Sequence, residues 1–219
     1  MWKSWLTVFL QDNCPCCGRY TGQIFCLDCQ RQIDECRFAN PQVFWRGDLP
    51  LLVWGRYKGM LKRAIACFKY DGKTAIGEVL GLSLGKLWLE SNLAKKYGQL
   101  TVIPIPLHQS KLKQRGFNQA ELIARGFCRV TGYGLNRRGL VRVKQTEALF
   151  NLNKEEREEQ LTQAFRVTQD LLKQPKNRPV LLLDDIYTTG TTAREAKLIL
   201  AKNGFLVLGI VAIATTKKI

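Results

Sequence analysis

Two neighbouring carboxylates, Asp184 and Asp185, sit between a short apolar run, Val180 to Leu183, and hydroxyls gathered around one glycine: Tyr187, Thr188, Thr189, Gly190, Thr191 and Thr192. Hydroxyls donate to an anion. So do the free amides at a helix start, where the helix dipole also favours negative charge. A helical pattern follows at once, with Ala193, Ala196, Ile199 and Leu200. Gly190 lets the backbone approach a ligand closely. The two acids would repel a bare phosphate. They suit the hydroxyls of a sugar, or a metal ion that the ligand brings with it. A phosphorylated ribose carried with Mg²⁺ satisfies the whole stretch.

Simpler readings account for less of it. A core strand ending in a helix cap would need one acid at most, and the pattern from Pro179 to Ala193 carries more than a cap requires. A Walker B strand also ends in acids but needs a Walker A loop elsewhere. The nearest segment, Gly81-Leu82-Ser83-Leu84-Gly85-Lys86-Leu87, has the wrong spacing and no hydroxyl after its lysine.

A second chemistry lies near the start of the chain. Cys14-Pro15-Cys16-Cys17 and Cys26-Leu27-Asp28-Cys29 are paired knuckles of the Cys-x-x-Cys kind. Cys14, Cys17, Cys26 and Cys29 can close a tetrahedron around Zn²⁺, with no position left open for water, so the ion is structural. Its binding supplies the folding energy that so small a loop lacks. Cys16 lies inside the first knuckle, as a bystander or as an alternative ligand.

The elements that must position these groups read as an α/β protein. Buried strands are expected at 100–105, 140–143, 180–183 and 205–214, alternating with helices, which means a parallel sheet flanked by helices. A further strand precedes them at 51–57. A basic amphipathic helix carries Leu61, Ile65 and Phe68 with Lys62, Arg63 and Lys69. One long helix is expected over 74–96. Its glycines Gly77, Gly81 and Gly85 lie four apart and point to close packing against a neighbour. Residues 30–50 read as a linker. A basic loop with His108, Lys111, Lys113 and Arg115 leaves the 100–105 strand, and such a loop at a strand's carboxyl end is where a second ligand contact belongs. His108 reads as a solvated loop residue. Two domains follow: 1–40, with an N-terminal amphipathic helix and the four-cysteine ribbon or knuckle, and 41–219.

Two resemblances make this specific. Pro179 to Ala193 resembles the motif of type I phosphoribosyltransferases that binds 5-phosphoribosyl 1-pyrophosphate (PRPP). That likeness implies that Tyr187, Thr188, Thr189, Gly190, Thr191 and Thr192 grip the 5-phosphate, while Asp184 and Asp185 hold the ribose hydroxyls. Pro104-Ile105-Pro106-Leu107 together with Arg115-Gly116-Phe117-Asn118-Gln119 is similar to the ComF family of competence proteins, and the likeness runs from Cys14 to Thr216. It implies a phosphoribosyltransferase-like domain behind a zinc module, Mg²⁺ bound with PRPP, and pyrophosphate held by the loop from Pro104 through Pro106 to Arg115. If the domain is catalytic, Asp184, Asp185 and Arg115 are its working residues. It also implies a mobile loop over 144–160. There the chain keeps Lys144, Thr146 and Arg157 ahead of Ala164-Phe165, but has Leu149 where Gln is common and Gln160 where Asn is common.

Charge narrows the partners. The chain of 219 residues carries a formal +16 at neutral pH. Residues 41–150 hold 19 Lys and Arg against 6 Asp and Glu, while residues 1–40 balance at 4 and 4. Such an excess suits a polyanion. Trp54, Tyr57, Phe68, Tyr70 and Phe117 are interleaved with it, as in proteins that stack bases of single strands. The functional expectation is a ComF-like protein that binds PRPP with Mg²⁺ and single-stranded DNA, in contact with DNA-uptake machinery. The alternative is an active phosphoribosyltransferase unrelated to DNA. With no secretory signal and no transmembrane run, the cytoplasm is expected. Trp2, Trp5, Leu6 and Phe9 form a stripe that packs on the chain itself or acts as a peripheral foot on the inner membrane face.

Overall fold

Apolar runs without alternation become strands buried on both sides. In the computed structural model, which describes residues 13–143 and 164–217, the elements run in the order α1 (Leu27–Asp34), β1 (Leu51–Arg56), α2 (Gly59–Tyr70), α3 (Ala75–Glu90), α4 (Asn92–Tyr97), β2 (Thr101–Pro104), α5 (Gln109–Arg115), α6 (Gln119–Thr131), β3 (Gly134–Leu135), β4 (Leu140–Arg142), β5 (Phe165–Val167), α7 (Gln169–Leu172), β6 (Val180–Tyr187), α8 (Thr191–Lys202) and β7 (Val207–Thr215). The Trp2/Trp5/Leu6/Phe9 stripe and the 144–160 loop, with Lys144, Thr146 and Arg157, lie outside the described residues.

Among the described residues, five strands form one parallel sheet in the order β1-β7-β6-β2-β3. Successive side chains of a strand face opposite layers. Leu52, Trp54, Leu181, Leu183, Val211 and Ile213 join one core cluster with residues of α2, α3 and α6. Leu51, Val53, Leu182, Ile210 and Ala212 join the other with Ala193, Ala196 and Leu200 of α8. The expected parallel α/β class is therefore what the chain adopts. Cys14, Cys16, Cys29 and Ile33 of the cysteine segment belong to the first cluster, so that segment shares its core with α2.

The strand order sets the site. From β2 the chain crosses to β3 on one side, and from β6 it crosses to β7 on the other. Where connections diverge in this way, a crevice opens beyond the carboxyl ends of the two central strands. The glycine spacing on α3 does what was expected: a Cβ at Gly81 would collide with the backbone carbonyl of Ile123, so α3 and α6 meet backbone to backbone.

Several expectations need correction. The long helix over 74–96 is two helices, because Ser91 takes an extended backbone (φ −80°, ψ 148°) and its hydroxyl donates to the Trp88 carbonyl at 2.6 Å. The 30–50 linker begins inside α1. It is then tied to β1, with Phe38 N–H donating to Trp54 O at 3.0 Å and Arg56 N–H to Cys36 O at 2.8 Å. The 140–143 strand is not in the parallel sheet. As β4 it pairs antiparallel with β5, and Val141 is exposed. The basic loop after β2 contains a short helix, α5, capped by His108, whose ring accepts from Ser110 N–H. Finally, β6 does not stop before its acids. Pairing with β7 continues through Asp184 opposite Ala212 to Tyr187 opposite Thr215.

Candidate functional site

The β6 bank of the crevice presents acceptors. Asp185 is 9% exposed and both of its oxygens are engaged. Oδ1 accepts from Ile186 N–H at 2.7 Å and Oδ2 faces Lys69 Nζ at 2.5 Å. Asp184 Oδ1 accepts from Asp185 N–H at 2.8 Å. Burial, and then the charge of Asp185, hold the Asp184 carboxyl well above the usual carboxylate range. Lys69 offsets this only in part, so the pair is short of positive charge, which sugar hydroxyls or a cation would relieve.

Beyond the acids the chain turns into α8. Gly190 caps the helix with a left-handed backbone (φ 79°), and the Tyr187 ring packs so close beneath it that a Cβ there would strike the phenol. Only glycine fits this turn. Thr189 Oγ1 lies 3.0 Å from Thr191 Oγ1, and Thr191 N–H donates to Thr189 Oγ1. Arg194 N–H is the first to bond back, to Gly190 O. The amides before it have no intrahelical acceptor, as at any helix start. Thr188 and Thr189 are exposed, while Thr191 and Thr192 are half-buried.

The β2 bank presents donors. After Pro104, Ile105 N–H continues the ladder to Leu183 O at 2.8 Å. Asn118 then braces the loop: its Nδ2 donates to Ile105 O at 3.0 Å, and its Oδ1 accepts from Ala120 N–H at the start of α6. Arg115 Nη1 donates to Gln119 Oε1 at 2.7 Å. That bond fixes the amide and leaves Gln119 Nε2 buried with no hydrogen-bond partner among the described residues, in a residue 2% exposed. A stranded buried donor is costly, which marks the place a ligand oxygen would fill.

These groups enclose a cavity of about 170 Å³ lined by Lys69, Pro106, Arg115, Asn118, Gln119, Arg142, Asp184, Asp185 and Thr192 among others. Of the residues singled out from sequence, Asp184, Asp185, Arg115, Pro106 and Thr192 thus meet at one crevice. Tyr187, Thr188, Thr189, Gly190 and Thr191 form the adjoining turn. Lys69 and Gln119 were not singled out. Gln119 stood within the Arg115–Gln119 motif, and a polar residue buried at a helix start was the available signal. Lys69 gave none, since a lysine on a basic amphipathic helix reads as solvent-facing.

The cysteine cluster is separate. The sulfurs of Cys14, Cys17, Cys26 and Cys29 all lie within 4.8 Å of one another. Cys17 Sγ is 3.6 Å from Cys26 Sγ. The first knuckle is a tight turn in which Gly18 N–H donates to Cys14 O at 2.8 Å. Against burial, which raises it, the backbone amides of Cys26, Cys16 and Cys17 pull the Cys14 thiol down to about 6. Four thiols in this geometry fit a tetrahedral ion such as zinc. Cys16 is outside the group. Burial, then Cys67, push its thiol up to about 12, as befits a packing residue.

Among the described residues, no helix is long and apolar enough to cross a membrane. No protein-family model matches the chain. It is 30% identical to competence protein F of Haemophilus influenzae over 158 residues, which span 70% of this chain and 67% of that protein. It is 29% identical to competence protein ComFC of Bacillus subtilis over 201 residues, 87% of this chain and 72% of that one. A shorter match, 27% over 103 residues, covers 47% of this chain and 44% of the DNA utilization protein YhgH of Salmonella typhi. Solved structures that align with it include a hypoxanthine phosphoribosyltransferase from Staphylococcus aureus, at 18% identity and a TM-score of 0.34, covering 65% of this chain and 69% of that one. An allosteric regulatory enzyme of purine biosynthesis aligns at 17% identity and a TM-score of 0.39, covering 65% of this chain and 26% of that one.

Proposed function

The chain belongs to the competence protein F family, and from that premise we propose that it binds PRPP with Mg²⁺ in the β2/β6 crevice and single-stranded DNA on the basic surface around it, in the service of DNA uptake. One observation carries the first part. The two banks have opposite hydrogen-bonding character, with Asp184 and Asp185 on one and Arg115 and Gln119 on the other. A ligand filling that gap must offer hydroxyls to one bank and anionic oxygens to the other, and a pyrophosphorylated ribose does both. The turn from Tyr187 to Thr192 takes the 5-phosphate, the two acids take the ribose hydroxyls, and the segment from Pro106 to Gln119 takes the pyrophosphate. Mg²⁺ would neutralise the pyrophosphate between these banks.

The four-cysteine group holds zinc as a structural ion in this reading. The DNA part rests on the charge of residues 41–150 and on what the relatives' names say of them. Those relatives are named competence proteins and a DNA utilization protein, and a polyanion is the partner such charge suits.

Calorimetry decides the ligand. The unmutated protein should bind PRPP saturably with Mg²⁺, and Asp185→Asn should abolish the heat. No heat and no thermal shift in the unmutated protein would sink the crevice assignment. Fluorescence anisotropy decides the DNA. A labelled single strand should bind at about 50 mM salt and weaken steeply by about 200 mM, whereas absent or salt-insensitive binding removes that half. Pyrophosphate release in the presence of base or amine acceptors separates binding from transfer.

A further inference from the structure

Next to the crevice lies a second groove of about 210 Å³, lined by Lys69, Tyr70, Gly72, Gln114, Arg115 and Phe117. Lys69 and Arg115 line both cavities, so they form a shared wall between groove and crevice. Tyr70 ends α2 and is 77% exposed. The Arg115 guanidinium lies over its ring, 5.7 Å from the centroid, and is held there from behind by Gln119. Phe117 is half-buried and stacks at 5.5 Å and 24° on Phe68, which is fully buried, so it forms a fixed platform. Among the described residues, no carboxylate lines the groove.

A single exposed aromatic ring is ordinary. Two rings and two cations around one groove that opens onto a sugar-phosphate crevice are a more specific arrangement. Single-stranded nucleic acids are held by bases stacked on aromatic faces and on arginine planes, with lysine and arginine against the phosphates. A lipid tail would have no use for the two cations. A further sugar would find no carboxylate to accept from its hydroxyls. Mirrored across the shared wall, the acids of the crevice and the rings of the groove match the two halves of a nucleotide.

We propose that this groove is a nucleobase subsite: a base stacks against Tyr70 and Phe117, with its sugar-phosphate running past Lys69 and Arg115 toward Asp185. The inference rests on the crevice taking a phosphorylated ribose, as proposed above, and adds the base to it. The base can come from a small nucleotide or from the end of a single strand, and both present the same chemistry to the groove.

The test uses the full chain and 2-aminopurine, whose fluorescence falls when it stacks. Three probes are titrated: the 2-aminopurine ribonucleoside 5′-monophosphate, a single strand with the label at its 5′ end, and the same strand with the label at its centre. Quenching of the mononucleotide assigns the groove to small nucleotides, and quenching of the end-labelled strand alone assigns it to DNA ends. Either result must weaken by roughly fivefold or more in affinity in Tyr70→Leu, since stacking on one ring is lost. Tyr70 is exposed, so this variant keeps the core, and Phe117→Leu serves as the second. Quenching that is absent with every probe, equal at the end and the centre of the strand, or unchanged in both variants overturns the proposal. PRPP calorimetry on the same samples separates the two ideas: retained PRPP binding without quenching removes the subsite alone, and lost PRPP binding in the unmutated protein removes the crevice.

Discussion

The cysteine cluster and the crevice are built in opposite ways. The cluster takes all four sulfurs from one short stretch, Cys14 to Cys29, and gathers them within 4.8 Å. The crevice takes Lys69 from α2, Arg115 and Gln119 from either side of the α6 start, and the acids from β6. The first brings like groups together, and only a bound cation can reconcile four thiolates. The second brings unlike groups together on a sheet that is buried on both faces, so its geometry stands before any ligand arrives. One helix touches both. In α2, Cys67 Sγ donates to Pro15 O at 3.2 Å, and two residues on, Lys69 meets Asp185. A site written in local spacing would depend on an ion to hold it together, whereas a site written in topology depends on its fold.

The largest expected effect comes from breaking the local site. Cys29→Ser, or extraction with a strong chelator, should take the metal content from stoichiometric to none by elemental analysis. It should also lower Tm by roughly 5 °C or more, because structural zinc supplies folding energy directly. PRPP affinity should stay within about threefold, since the acids ride on the sheet. If PRPP binding collapses with the metal, the two regions are one site and the contrast fails. Next in size is the ion pair that closes the crevice. The Lys69 and Asp185 side chains are only 17% and 12% exposed. Lys69→Met leaves a shielded carboxylate beside Asp184 and should cost about 3 kcal/mol in urea unfolding. Adding Asp185→Asn to it should recover much of that loss. A single-mutant cost below about 1 kcal/mol would show that the pair does not brace the crevice.

The same contrast explains what could be read in advance. Spacing alone named Cys14, Cys17, Cys26 and Cys29, and the order of apolar run, acids and hydroxyls named Asp184, Asp185 and the turn to Thr192. Unbroken apolar runs such as Val180 to Leu183 announced a parallel sheet. What hid was anything set by distant partners. The extension of β6 through both acids depends on backbone pairing to β7, which ignores side-chain polarity. The break at Ser91 needs a hydroxyl bond back to Trp88, which periodicity does not register. Gly134–Leu135 is too short a strand to make a pattern, and its pairing to Thr101 and Val102 is purely tertiary. Leu140 to Arg142 had the composition of a core strand, yet its partner, β5, turns it into an antiparallel ribbon outside the main sheet. Lys69 sits in the last turn of a basic helix, and only the folded chain, which brings the end of α2 against Asp185, reveals its partner.

A smaller effect, with a definite sign, comes from Asp184. Burial and the neighbouring Asp185 raise its folded-state pKa above the ordinary 3.8. The folded chain therefore holds that proton more tightly than the unfolded chain. Stability contributed by the protonated acid is present at low pH and is lost as pH rises through and beyond the ordinary value. Asp184→Asn keeps an acceptor for Asp185 N–H and removes the charge. At pH 8 it should unfold at higher temperature than the unmutated protein, and near pH 3.5 the two should coincide. A variant that is less stable at pH 8 would mean that the acid is not a burden the fold carries for its ligand.

The smallest effect on stability should separate binding from folding most cleanly. Gln119→Leu removes the stranded Nε2 donor and, with it, the acceptor of Arg115. Losing a buried unpaired donor is a gain. Losing the acceptor is a small cost, because the guanidinium is half-exposed and water can replace the amide. The two nearly cancel, and unfolding free energy without ligand should change by no more than about 0.5 kcal/mol. Affinity for PRPP should nevertheless fall roughly tenfold, since a hydrogen bond to a charged oxygen is lost. Stability held and affinity lost would identify Gln119 as a donor kept unpaired for the ligand. Stability lost and affinity held would mean that the amide serves the α6 start alone, and that the β2 bank of the crevice is held by Arg115 and Asn118 without it.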